Sequence, residues 1–278
     1  MTIVPGGKFL MGSPQDEPGR FDDSRNHDED DTAGPGGSPV PVTVPTFAIG
    51  TYEVSNREFA YFVDDTNYEV PSGCIAWTQR DGKWYQHEPA NWRDSGRVYN
   101  GDHPVTCVDW YTAVAYVEWL SVKTGMQYRL LSEAEFEYVR RAGSSDAYHF
   151  GSNPEEMCRY GNVPDASFAP VTTTKETLAC DDGYWGLAPV GQFEPNALGV
   201  YDMDGNHWEW LADCYEDSLA NIPRDGSPLL KDDCELRSVR GGSWGYSLTV
   251  LRSADRGEDP PHEVWDGLGI RVARDIQN

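Results

Sequence analysis

Residues 240–273 read RGGSWGYSLTVLRSADRGEDPPHEVWDGLGIRVA. Gly241 and Gly242 allow a tight backbone approach, and Trp244 is a core-sized aromatic. Leu251-Arg252-Ser253-Ala254 and Ile270-Arg271-Val272-Ala273 alternate apolar with polar, which predicts half-buried strands. Between them, Gly245 to Val250 and Gly257 to Gly267 follow no helix or strand period. These two stretches mix Tyr, Leu, Val, His and Trp with Gly, Asp and Glu. They read either as ordinary surface loops or as a binding surface carried on a rigid frame.

Outward from that stretch, the totals narrow the classes. The chain has 278 residues, 46 Asp and Glu against 22 Lys and Arg, and a formal net charge of −24. A polyanion is repelled by such a surface, so nucleic acid is not an expected partner. The acidity reads as solubility, as adaptation to salt, or as carboxylates that hold cations. No apolar run reaches the roughly 18 residues of a membrane span. The start, MTIVPGGKFLMGS, shows no signal-peptide pattern, and the compartment is left unknown. Six cysteines, with no C-x-x-C pair, are expected as buried free thiols. If they pair, Cys158 with Cys180 and Cys214 with Cys234 come first.

Periodicity predicts an edge strand near Lys8–Ser13, then a mobile acidic loop at 14–39. Strand-like runs follow at Val40–Val44 and Phe47–Val54. Ser55 can cap a helix from Asn56 to about Asp64. Arg80-Asp81-Gly82 suits a hairpin turn. Asp109 caps a second helix that ends at Gly125, and Ser132-Glu133-Ala134-Glu135 is a capping box for a third. Short strands are expected within Tyr201–Asp213, Ser238–Trp244 and Gly269–Ala273. Helices early and short strands late, without a βαβ rhythm, give an α+β fold in one domain, 1–278.

The chain has no phosphate-binding glycine loop, no H-E-x-x-H and no G-x-S-x-G elbow. A hard-cation site is better supported. In YDMDGNHWEW, a turn at Asp204-Gly205 aims the Gly205 and His207 carbonyls and the Asp202 and Glu209 carboxylates at one point, which suits calcium. The alternative is a turn with caps.

Seven motifs then fall in one order. They are GGKFLMGS from Gly6, EVSN from Glu53, HPV from His103, RLLSEAEFEY from Arg129, NALGVYDMDGNHWEW from Asn196, RGGSW from Arg240 and GIR from Gly269. In that order they resemble the formylglycine-generating enzyme superfamily. The resemblance implies a loop-rich variant of the C-type lectin fold and two structural calcium sites. One would use Asn162, the Val163 carbonyl, Asp182 and the Tyr184 carbonyl. The other would use Asp202, Gly205, His207 and Glu209. The oxidase members of that superfamily carry a cysteine pair shortly after Gly-Gly-Ser, to bind copper. Here GYSLTV stands in that place, so no copper is expected.

The spacing is similar to that of variable proteins of diversity-generating retroelements: GGSW, six residues, LRSANR, about eleven residues, GFRVA. That resemblance implies a non-enzymatic display protein with a diversified segment at 240–273. Its ligand-contacting residues would be Gly245, Tyr246, Ser247, Leu248, Thr249 and Val250, with Gly257, Glu258, Asp259, His262, Glu263, Val264, Trp265 and Asp266. The expected partner is a variable macromolecular ligand, first of all a protein. The alternatives are an oxidoreductase of the same superfamily with a non-cysteine metal site, and an accessory subunit.

Overall fold

The computed structural model describes residues 1–14, 16–18, 39–80, 83–86, 90–97, 99–167, 177–245 and 248–276, side chains at 77–80, 83–86 and 249 excepted. Three α-helices lie among them. Ser55 caps α1, Asn56–Thr66, in a reciprocal capping box with Glu58. Asp109 caps α2, Trp110–Thr124, which ends on left-handed Gly125. Ser132 and Glu135 form the second capping box, at the start of α3, Glu133–Arg141. Each cap satisfies amides that the first turn leaves unbonded, so all three starts fall where the sequence places them.

Strands β1 (Thr2–Val4), β2 (Gly7–Met11), β3 (Val40–Val44) and β4 (Phe47–Ile49) precede α1. The hairpin of β5 (Trp77–Arg80) and β6 (Lys83–Gln86) precedes α2, β7 (Tyr128–Leu130) follows it, and β8 (Trp208–Cys214) follows α3. The last four are β9 (Arg237–Arg240), β10 (Gly257–Asp259), β11 (Leu268–Gly269) and β12 (Val272–Asp275). One sheet runs β1-β4-β12-β7 and a second runs β10-β9-β8-β11; β2 pairs with β3 and β5 with β6. In the first sheet Ala273 faces Ile49 on one side and Arg129 on the other, so the last strand is central.

One core cluster joins Phe47, Ile49, Phe136, Val139 and Leu211. Another packs Phe59 and Phe62 of α1 against Tyr116 and Val117 of α2, with Trp208 and Trp210 of β8. Burying each large apolar side chain contributes about 1.5–3 kcal/mol.

Four expectations change. The six cysteines form three disulfides, Cys74–Cys107, Cys158–Cys180 and Cys214–Cys234, and are not free thiols. Residues 251–254 make no strand: Leu248–Leu251 is a 3-10 turn, and Arg252 lies fully buried behind it. The Ile270-Arg271 pair breaks the last run, since Arg271 turns inward and pairing resumes at Val272. Most of the acidic loop lies outside the described residues, but Glu17 within it is buried, 2.8 Å from Arg252.

The inward arginines share one cause. Glu133 Oε1 accepts from Arg240 Nε at 3.0 Å and from Arg256 Nε at 2.6 Å, with all three side chains fully buried. Burial alone would raise the Glu133 carboxyl; Arg256 and Arg240 outweigh it and hold it at about 2. Glu137 completes the set, accepting from Arg240 and Arg141. An amphipathic reading turns the charged side of α3 to water, but neutralisation in pairs lets that side enter the core.

Candidate functional site

The frame of the 245–267 region is built from glycines and backbone pairing. Gly242 has φ 75°, and a Cβ there would stand 2.5 Å from Leu251 Cδ2. Only glycine closes the chain that tightly, so 243–250 leaves and returns at a fixed distance. Trp244 N donates to the Asn206 carbonyl at 3.1 Å, which fixes the exit.

The second stretch is laced to two earlier segments. Ile75 N donates to Val264 O at 2.9 Å and Asp266 N to Ile75 O at 3.0 Å. Cys107 N donates to Trp265 O, and Trp110 N to Pro261 O. The Cys74–Cys107 disulfide joins those two segments from behind. A 33-residue separation between the cysteines makes this clamp invisible to local sequence reading.

The expected ligand-contacting residues divide by exposure. His262 is exposed, and Gly245, Leu248, Val250, Glu258, Asp259, Glu263 and Trp265 are half-buried. Gly257, Val264 and Asp266 are buried, so they serve the frame: Gly257 lies against Trp208, and Asp266 faces Arg97 at 3.8 Å. Trp265 Nε1 donates to Asp259 Oδ2 at 3.2 Å. Tyr246, Ser247 and the Thr249 side chain lie outside the described residues.

The two expected cation loops pack directly on each other. Asn206 N donates to Asn162 O, and Asn162 Nδ2 donates to Asn206 Oδ1 at 3.0 Å. Asn206 Nδ2 also donates to Glu53 Oε2 at 2.9 Å, and its Oδ1 accepts from Ala188 N. Sequence reading missed this hub, because Asn206 looks like one more turn residue.

The first loop fits a hard cation. Asn162 Oδ1 is buried without a hydrogen-bond partner. Asp182 accepts from Val163 N and Tyr184 N, and burial pushes its carboxyl up to about 7. A cation there would relieve both. The Tyr184 carbonyl already accepts from Ser167 Oγ at 2.9 Å, which leaves it one lone pair.

The second loop fits less well. Asp202 Oδ1 is buried without a partner, and the turn expected at Asp204-Gly205 is present, with Gly205 left-handed at φ 77°. Burial pushes the Asp202 carboxyl up to about 6. Glu209, however, holds Arg271 through both oxygens, and Arg271 Nη2 reaches the Asp202 carbonyl. The His207 ring is buried in the core, and burial lowers it to about 3.

Among the described residues, no cluster of three or more His, Cys, Asp or Glu could hold a metal, and no helix is long and apolar enough to cross a membrane. Every cysteine lies outside 241–267 and is in a disulfide.

Comparison with known proteins agrees with this architecture. Residues 1–276 match the family described as sulfatase-modifying factor enzyme 1-like domain. The chain is 33% identical to a formylglycine-generating enzyme of Thermomonospora curvata, over 99% of this chain and 93% of that one. It is similar to the structure of PvdO from Pseudomonas aeruginosa at 35% identity and a TM-score of 0.78, covering 99% and 93%. It shares its fold with Treponema denticola variable protein 1, at 19% identity and a TM-score of 0.69 over 99% and 95%. An α+β, lectin-like architecture with seven ordered motifs and a match over nearly its whole length places the chain in the sulfatase-modifying factor enzyme 1-like family.

Proposed function

We propose that this chain is a ligand-binding member of its family, with a recognition surface at 245–250 and 257–266, and not a thiol-dependent oxidase. One observation carries the reading: all six cysteines are held in disulfides away from Gly-Gly-Ser-Trp. A copper(I) centre at the family position would lack its soft ligands. In their place stand half-buried Leu248, Val250 and Trp265 beside Glu258, Asp259, Glu263 and exposed His262. Aromatic and aliphatic anchors with a polar rim suit recognition of a macromolecule.

The spacing of six and eleven residues supports the narrower reading, display of a segment diversified by a retroelement. Calcium at the Asn162 loop would brace the frame without entering any chemistry. Sequencing codons 240–273 across a population tests display: adenine-linked differences are expected at the contact codons, with Gly257, Val264 and Asp266 constant. Uniform codons throughout sink the diversified reading.

A second reading, an oxidoreductase without the cysteine pair, is favoured by the 33% identity to a formylglycine-generating enzyme. Oxygen uptake by the purified chain on addition of a reduced substrate and a transition metal would establish it. Its absence across copper and iron leaves binding.

A further inference from the structure

A cavity of about 280 Å³ lies between the start of α1 and the 92–106 segment. Arg57, Arg93 and Arg97 line it, with Asn56, Ser95 and Thr106, and no described Asp or Glu does. In a chain of net charge −24, three guanidinium groups around one small cavity depart from the surface at large.

We propose that this cavity binds a small hydroxylated oxyanion, either hydrogen phosphate or an α-hydroxy carboxylate. The proposal does not rest on the 245–266 surface being a recognition site.

Each arginine has a carboxylate neighbour outside the lining: Asp102 at 2.7 Å from Arg57, Asp64 at 3.4 Å from Arg93 and Asp266 at 3.8 Å from Arg97. These contacts orient the guanidinium groups. Arg97 also donates through Nη1 to Tyr99 Oη at 3.2 Å, so the ligand donors are those of Arg57 and Arg93, whose five-donor guanidinium groups each keep N–H groups beyond the ion pair. Arg97 is the fixed member, 6% exposed and lying 4.2 Å from the Trp244 ring and 4.8 Å from the Trp185 ring. Arg93 is steadied over Trp92 at 4.0 Å.

The independent sign of a ligand is Ser95. Its residue is 5% exposed, it lines the cavity, and its Oγ has no hydrogen-bond partner. A hydroxyl buried without a partner is destabilising until something enters to bond it. Asn56 adds the chemical detail. Its Oδ1 is also buried without a partner, so the cavity offers an acceptor beside its donors. An oxyanion that keeps an O–H satisfies both kinds of group.

Isothermal titration of the full chain with sodium phosphate and with sodium lactate, at ionic strength fixed with sodium chloride, tests the site. Saturable heat is expected from at least one of the two. Phosphate alone assigns a phosphate group, and lactate alone assigns a hydroxy acid. Arg93→Gln should weaken binding about tenfold with an unchanged melting temperature, and Ser95→Ala severalfold with an equal or higher one, since the unpartnered hydroxyl is gone. The two variants are read separately, so a folding defect in one leaves the other decisive. No saturable heat from either salt, or unchanged affinity in a folded Arg93→Gln or Ser95→Ala chain, overturns the proposal.

Discussion

Arg271 Nη2 stands 2.8 Å from Glu209 Oε1, with the arginine side chain fully buried and the glutamate 1% exposed. That pair occupies the Glu209 carboxylate that the second expected calcium loop would use. A divalent ion coordinated by Glu209 would displace, or lie beside, a buried guanidinium.

Calcium should therefore act through the Asn162 loop. At a concentration about a hundredfold above Kd it should raise Tm by about 5–10 °C, and a chelator should reverse the rise. Asp182→Asn should abolish the shift, and Asp202→Asn should leave it. Differential scanning calorimetry of the three chains reads the result directly. A shift lost only in Asp202→Asn would move the ion to the second loop.

Glu133 should govern acid stability. Its folded value of about 2 lies below the ordinary 4.5, so its contribution is present above pH 4.5 and is lost as pH falls towards 2. Glu133→Gln leaves Arg240 and Arg256 short of a buried counter-charge, at a cost of about 3–5 kcal/mol. Urea denaturation at pH 7 should show that loss. A pH series from 5 to 2 should show a shallower decline in the variant.

Much of the fold was legible because its signals are local. Ser55, Asp109 and Ser132 announce helix starts within four residues, and alternation marks Val40–Val44. The buried charges were not legible, because a motif such as LRSADR gives the same polar-apolar pattern whether its arginines face water or meet Glu133. Arg256 meets Glu133, 123 residues away, and Arg252 meets Glu17, 235 residues away. For the 245–266 stretch, the glycine hinge and the missing cysteines could be read, but the burial of Val264 and Asp266 could not. That burial comes from Ile75 and Arg97, in a segment with no periodic signal.

The Cys74–Cys107 bridge should hold the 260–266 stretch in place. Alkylation without reductant should label no thiol. Cys74→Ser with Cys107→Ser should cost about 2–4 kcal/mol. Hydrogen exchange should rise first at the amides of Ile75, Cys107 and Asp266, which bond across that seam. Uniform acceleration over the whole chain would show instead that the bridge stabilises only globally.

Gly242→Ala tests the hinge. The added methyl meets Leu251 Cδ2, and φ is 75°. Overpacking together with a left-handed backbone should cost about 2–4 kcal/mol. Gly143→Ala has a similar φ of 91° but open space around it, and should cost less. Thermal melts of the two variants separate the steric part from the backbone part.

The placement of β12 between β4 and β7 has a consequence for synthesis. Val272–Asp275 leaves the ribosome after the other three strands of its sheet, yet these residues fill the middle of that sheet. Glu17 likewise waits for Arg252, 235 residues downstream. The nascent chain can form its capped helices while it is still being translated. Its first sheet stays open down the centre until β12 emerges, so that sheet closes only after the whole of 1–275 has been made.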